Sequence, residues 1–240
     1  MTALAQRRAT SLSLPPIDLR PHLSTAVRAQ GPRPLCVPFA VGAAHEAIRS
    51  LLLAESDALA VEPLWQHSVN AGTAGPDGTT LAATGVALAD TGQPPGRLWP
   101  YNPTLREGTE PTPPGLAQPQ FRTASLISVP LQHDGIEESV EQSLAQGLPV
   151  ALIVEVSAEF DDAPGGEVAV PALTAPLGDY HAVLAVGVAT NAAATSRRLL
   201  IRNSWGPGWG ANGHAWLPYD YLMAHAVDAA VVDPRTLGTK

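Results

Sequence analysis

From Val41 the apolar positions Val41, Ala44, Ile48, Leu51 and Leu52 recur at steps of three and four, the spacing that lines one buried face of a helix. The pattern predicts a long buried helix from Cys36 to about Ala54, with Pro38 tolerated in a first turn whose N–H groups have no helical partner. A second helical pattern runs from Leu81 to Ala89 and is closed by Gly92. After it the period changes. Leu126-Ile127-Ser128-Val129 reads as a strand, and residues 136 to 146 as a helix with Asp134 and Glu137 as its capping pair. Strands are then expected at 150 to 156, 181 to 188, 199 to 203 and 215 to 217. Apolar runs on several neighbouring strands predict a barrel-like sheet. The Pro- and Gly-dense stretch from Asn102 to Gln120 reads as a long surface crossing, and the connection from Phe160 to Gly178 shows no definite element. Residues 1 to 16, polar and ending in Pro15-Pro16, read as a disordered leader.

Composition narrows the class. With 240 residues, 45% hydrophobic and 15% charged, the chain is long enough to bury a real core. Its longest uninterrupted apolar runs, such as Pro149 to Val154, fall well short of the roughly 18 residues that cross a bilayer, so no membrane partner is expected. The N-terminal Arg7-Arg8 is not followed by an apolar signal core. A net charge of −8 speaks against nucleic acid, whose phosphates call for clustered Lys and Arg. The single cysteine permits no internal disulfide and suits a cytoplasmic location. The basic residues are Arg apart from Lys240, and Ala, Pro and Gly are abundant, a usage that fits a GC-rich bacterial genome.

The candidate chemistry starts at Cys36. A thiol opening a helix sits against unpaired N–H groups and the positive end of the helix dipole, both of which favour thiolate. A lone cysteine is also commonly a small core hydrophobe. The sequence downstream favours chemistry: Asp179-Tyr180-His181-Ala182-Val183 lies 145 residues on from Cys36 to its histidine, and Asn203-Ser204-Trp205-Gly206 follows 22 beyond that. Taken singly, His181 on an Ala- and Val-rich strand suits a core histidine, and Asn203 suits a turn. The other histidines show no ligand spacing with a second Cys, Asp or Glu, so no metal is expected, and no glycine signature asks for a cofactor.

Gln30, Cys36, His181 and the Asn203-Ser204-Trp205-Gly206 run, in this order and spacing, resemble the papain-like cysteine peptidases over roughly residues 17 to 225. The resemblance implies an α+β, two-lobed fold. Residues 17–240 would form one catalytic domain, with a helical lobe at about 17–120, a β lobe at about 121–225, and terminal segments crossing over. It implies hydrolysis of peptide bonds through an acyl-thioester on Cys36, with His181 as the base, Asn203 orienting it, Gln30 donating to the oxyanion and Trp205 shielding the His–Asn hydrogen bond. Gly78, Thr79 and Tyr180 are expected to meet the peptide or protein substrate. The Trp99-Pro100-Tyr101 stretch resembles the family's Tyr-Pro-Tyr turn. The chain departs from the family at Pro34-Leu35 and Val37, where relatives carry Gly-Ser and Trp, and at Gly78-Thr79, where they carry a Gly-Gly pair. With 16 residues ahead of Ile17, a prosegment-less member is expected, leaving control to a regulatory protein partner or unneeded. Acyl transfer to an amine would use the same residues, and a peptide-binding pseudoenzyme is the alternative that the altered cap raises.

Overall fold

The computed structural model describes residues 13–131, 135–172 and 178–239. The predicted helix is there as α1, Cys36–Leu53, ending where Ala54 turns left-handed. By length and composition α1 is apolar enough to cross a bilayer, yet from Val37 to Arg49 every residue is buried against the rest of the chain. Two helices pack beside it. They are α2 (Glu62–Asn70), which sequence patterning did not separate from its surroundings because Pro63 stands in its first turn, and α3 (Leu81–Asp90), capped by Thr80 accepting from the Ala83 N–H.

The second half is an antiparallel sheet. Its strands are β1 (Ile17–Asp18), β3 (Leu126–Ser128), β4 (Val150–Glu155), β5 (Tyr180–Thr190), β6 (Arg197–Arg202), β7 (His214–Pro218) and β8 (Ala226–Val232), in the order β3-β8-β4-β5-β6-β7 with β1 added on β5. A separate ribbon pairs β2 (Arg122–Thr123) with β9 (Gly238–Thr239). The sheet is open: β3 and β7 are its ends and do not pair with each other, so the barrel-like expectation resolves into a twisted sheet wrapped by helices. Strand β8 went unpredicted because Ala226 to Val232 follows directly on helix α6 (Tyr219–His225), with no turn residue to mark the change.

Alternation along β5 sends its two rows to different cores. Ala182, Leu184 and Val186 meet α1, whereas Val183, Ala185 and Val188 join the second core under helix α4 (Ile136–Ala145) and α6. The rows change step between Ala185 and Gly187, where the pairing with β6 shifts by a residue. Gly187 is required at that bulge, since a Cβ there would stand 2.5 Å from the Ile17 carbonyl oxygen of β1. Helix α4 begins after Gly135, with no side-chain cap among the described residues; Asp134, expected to supply one, lies outside them. Residues 1–12 of the expected leader also lie outside them. The Leu14 and Pro15 carbonyls accept from the Arg197 guanidinium at 3.1 and 3.0 Å.

With one cysteine, the helical half is fastened by charge. Arg33, fully buried three residues before Cys36, donates to Glu62 of α2 at 2.7 and 3.2 Å and to the Asn102, Arg106 and Gly108 carbonyls of the surface crossing. Glu62 also accepts the Glu110 N–H at 2.7 Å. Both charges are dry and fully hydrogen-bonded, so removing one strands the other. The Glu62→Gln variant should lose about 3 to 5 kcal/mol of unfolding free energy by urea titration. A loss below about 1 kcal/mol would show that the pair does not hold the crossing.

Candidate active site

Cys36 is placed by what precedes it. Leu35, the residue capping α1, is wholly buried in a cluster with Phe39, Val61 and Trp65, so the departure at Leu35 is an apolar anchor for the helix start. No side chain caps α1, and the first N–H groups of the helix are left to the site. Cys36 is half-buried, and the backbone N–H groups of Ala182, Val37 and Cys36 itself act on its thiol. The Ala182 contact puts the thiol beside the residue that follows His181. Burial pushes the thiol above its ordinary value and those three N–H groups pull it back only in part, so the helix start alone does not make a thiolate, contrary to the expectation from sequence.

His181, on β5, is buried, and its Nε2 lies 2.7 Å from Asn203 Oδ1 at the end of β6. The same Oδ1 accepts the Ser204 N–H at 2.7 Å, which identifies it as the oxygen. Nε2 therefore carries the proton and Nδ1 is the basic nitrogen of the neutral ring. The Trp205 ring lies 4.5 Å from that of His181, and Phe160 packs edge-on against both rings, at 6.0 Å from His181 and 5.8 Å from Trp205. Phe160 was invisible to sequence reasoning because it sits on the short helix α5 (Ala158–Asp162) in a connection with no pattern. Burial draws His181 down to about 4, the Asn203 hydrogen bond opposing it.

Gln30 is buried and held at both ends of its amide. Nε2 donates to the Arg33 carbonyl at 2.9 Å, while Oε1 accepts from Ser204 Oγ at 2.6 Å. The second Nε2 proton has no acceptor among the described residues. The backbone is tied in as well: Gln30 N–H donates to the Ser204 carbonyl at 2.7 Å, Gly206 N–H to the Arg28 carbonyl at 3.1 Å, and Tyr101 Oη to the Gln30 carbonyl at 2.6 Å. Ser204 thus joins Gln30 to Asn203, a role that its place in the motif contained but that spacing did not reveal.

The expected substrate contacts divide. Gly78 has φ +97° and faces the Pro34 carbonyl, where a Cβ would come to 3.3 Å, so it borders the cap before Cys36. Thr79 Oγ1 is occupied by the Thr73 carbonyl at 3.0 Å. Tyr180 is 61% exposed on the strand just before His181, a free aromatic face at the site's edge.

Two buried histidines bear on acid stability. Burial also holds His45 at about 4, with Nδ1 3.1 Å from Gln93 Oε1 and Nε2 without a partner among the described residues. For both rings the folded value lies below the unfolded 6.5, so the unfolded chain binds more protons and the stability present above pH 6.5 is lost as pH falls toward 4. Each contributes roughly 3 kcal/mol across that window, at about 1.4 kcal/mol per unit. Urea midpoints should fall steeply between pH 6.5 and 4.5, and His45→Gln should remove about half of the slope. A flat midpoint over that range would contradict the buried neutral rings.

A family model described as papain family cysteine protease matches residues 100–231. No curated protein matches the chain. Among solved structures it is similar to xylellain, a cysteine protease from Xylella fastidiosa, with a TM-score of 0.75 and 24% identity over 94% of this chain and 89% of that one. Bromelain protease from Ananas comosus, in complex with the E64 inhibitor, gives 0.73 and 22% over 91% and 99%; digestive procathepsin L 3 of Tenebrio molitor gives 0.75 and 22% over 92% and 71%. The site just described, with its cysteine at a helix start and its histidine and asparagine on neighbouring strands, stands on the fold those structures share, and the chain belongs to the papain family of cysteine proteases.

Proposed function

We propose that the chain is an endopeptidase that cleaves peptide bonds through an acyl-thioester on Cys36. The observation that carries this reading is the His181–Asn203 hydrogen bond, fixed in direction by the Ser204 N–H and set beside the thiol by the Ala182 contact. Nδ1 of His181 takes the thiol proton, and Sγ attacks the carbonyl carbon of the scissile bond. The resulting oxyanion is met by the Cys36 N–H and the spare Nε2 proton of Gln30. His181 then returns its proton to the leaving amine as the C–N bond breaks, leaving the acyl group on sulfur. Water, deprotonated by the same ring, releases the acid. Asn203 exchanges no proton and keeps the ring at one angle, as the third member of a nucleophile–base–orienter set does.

Burial disfavours a charge on Cys36 or on His181 taken singly. Moving one proton between them creates both charges at once, and their attraction is strong in the same dry surroundings. The substrate is an extended peptide or protein lying past Gly78 and Tyr180, which flank the cap and the histidine strand. The single cysteine is consistent with work in a reducing cytoplasm.

Assays with a mixed library of fluorogenic peptides should show turnover in the wild type and none in Cys36→Ala or His181→Ala. Gln30→Ala should keep KM and lose about a hundred- to a thousandfold in kcat, the usual effect of removing one oxyanion donor. Turnover surviving in Cys36→Ala ends the proposal. A Gln30→Ala variant with weakened KM and unchanged kcat would reassign Gln30 to ground-state binding.

A further inference from the structure

Beneath the seam that joins Gln30 to Ser204 lies a small cavity of about 20 Å³. It is walled by Arg28 from one side of the seam, Arg202 and Asn203 from the other, and Phe39 and Ala43 of α1. That volume admits one water-sized species.

The wall is unbalanced in charge. Arg28 and Arg202 are two guanidinium groups, and the one carboxylate among the described residues that acts on Arg202 is Glu46, itself already accepting from Arg28 at 2.6 Å, from the Leu59 N–H at 2.8 Å and from Thr25 Oγ1 at 2.7 Å. Arg202 is 5% exposed, and it donates to the Ala26 carbonyl at 2.6 Å and to Thr25 Oγ1 at 3.4 Å, neither of which carries charge. A buried cation without a counter-charge is costly. Burial accordingly pulls Arg202 below its ordinary value, with Arg28 adding to the pull and Glu46 opposing it. A second feature is independent of charge. Asn203 is 3% exposed, and its Nδ2 is a buried donor with no hydrogen-bond partner among the described residues, although its Oδ1 is doubly engaged. Such a donor normally has an acceptor.

We infer that this cavity is a halide site: one chloride-class monovalent anion, held between Arg28, Arg202 and the Nδ2 of Asn203. The anion supplies the missing negative charge and the missing acceptor together, which a water, being neutral, does only in part. By receiving Nδ2 it also fixes the amide with Oδ1 toward His181. This last consequence rests on the role proposed for Asn203, whereas binding does not.

The full chain, prepared free of chloride, is crystallised, soaked in sodium bromide and measured at the bromine absorption edge. An anomalous peak within hydrogen-bond distance of Asn203 Nδ2 and Arg202 is expected; no peak there, with density fitting a water, overturns the site. In solution, melting curves are compared in sodium chloride and sodium gluconate at equal ionic strength, gluconate being too large for the cavity. Saturating chloride, at about ten times its Kd, should raise Tm by about 3 to 6 °C over gluconate. Equal curves in the two salts overturn the proposal. Arg202→Gln should abolish the chloride shift. Should that variant not fold, Glu46→Gln, which removes the competing carboxylate, should bring the shift at lower chloride; an unchanged or higher midpoint overturns the proposal. Peptide turnover is not read in any arm, so the outcome stands apart from that of the peptidase reading.

Discussion

The interaction on which the site depends is a two-rung backbone pairing: Gln30 N–H to the Ser204 carbonyl and Gly206 N–H to the Arg28 carbonyl. It is the seam between the helical half and the sheet. Gln30, proposed to face the oxyanion, and Asn203, proposed to hold the base, arrive from segments more than 170 residues apart in the chain. Because a ladder register is discrete, the seam sets their relative position in steps of a residue and not by gradual drift. Ser204 strengthens the lock by bonding the Gln30 side chain with its hydroxyl while its N–H fixes the Asn203 amide. One residue therefore touches both halves of the proposed machinery.

Burial does several jobs at once here. Trp205 and Phe160 exclude water from the His181–Asn203 bond, which strengthens that bond and draws the imidazole to about 4. The same dryness acts against a lone thiolate at Cys36. In the proposed mechanism reactivity consequently belongs to the pair, and the helix start would contribute N–H groups for the oxyanion more than a thiolate of its own. On the helical side, Arg33 and Glu62 take the place that covalent cross-links hold in disulfide-rich proteins. They bind the cap before Cys36 to α2 and to the crossing through several oriented hydrogen bonds.

Much of this was legible in the sequence for physical reasons that can be named. The helix from Cys36 announced itself by a strict apolar period, and β4, β5 and β6 by unbroken apolar runs. The Asn203-Ser204-Trp205-Gly206 run was readable through its order and spacing after Cys36 and His181, which resemble those of the papain-like peptidases; taken alone, Asn203 suited a turn equally well. What stayed hidden was set by tertiary contact. Phe160 reaches the histidine from a connection without periodicity, β8 follows a helix without a turn, and the sheet's failure to close depends on which edges meet. The thiol's direction was misjudged because the sequence showed the helix start but not how deeply the sulfur would lie. Arg33 and Arg202 read as ordinary basic residues until the fold buried them.

The most direct measurement of the central claim, that Cys36 and His181 share one proton, is the rate of Cys36 alkylation by a small neutral reagent from pH 4 to 9 in wild type and His181→Ala. A shared proton predicts reactivity already high near pH 6 in the wild type, and in His181→Ala a single rise at or above the ordinary thiol value of about 8.5. Wild-type reactivity that rises only near 8.5, as in the variant, would contradict the account.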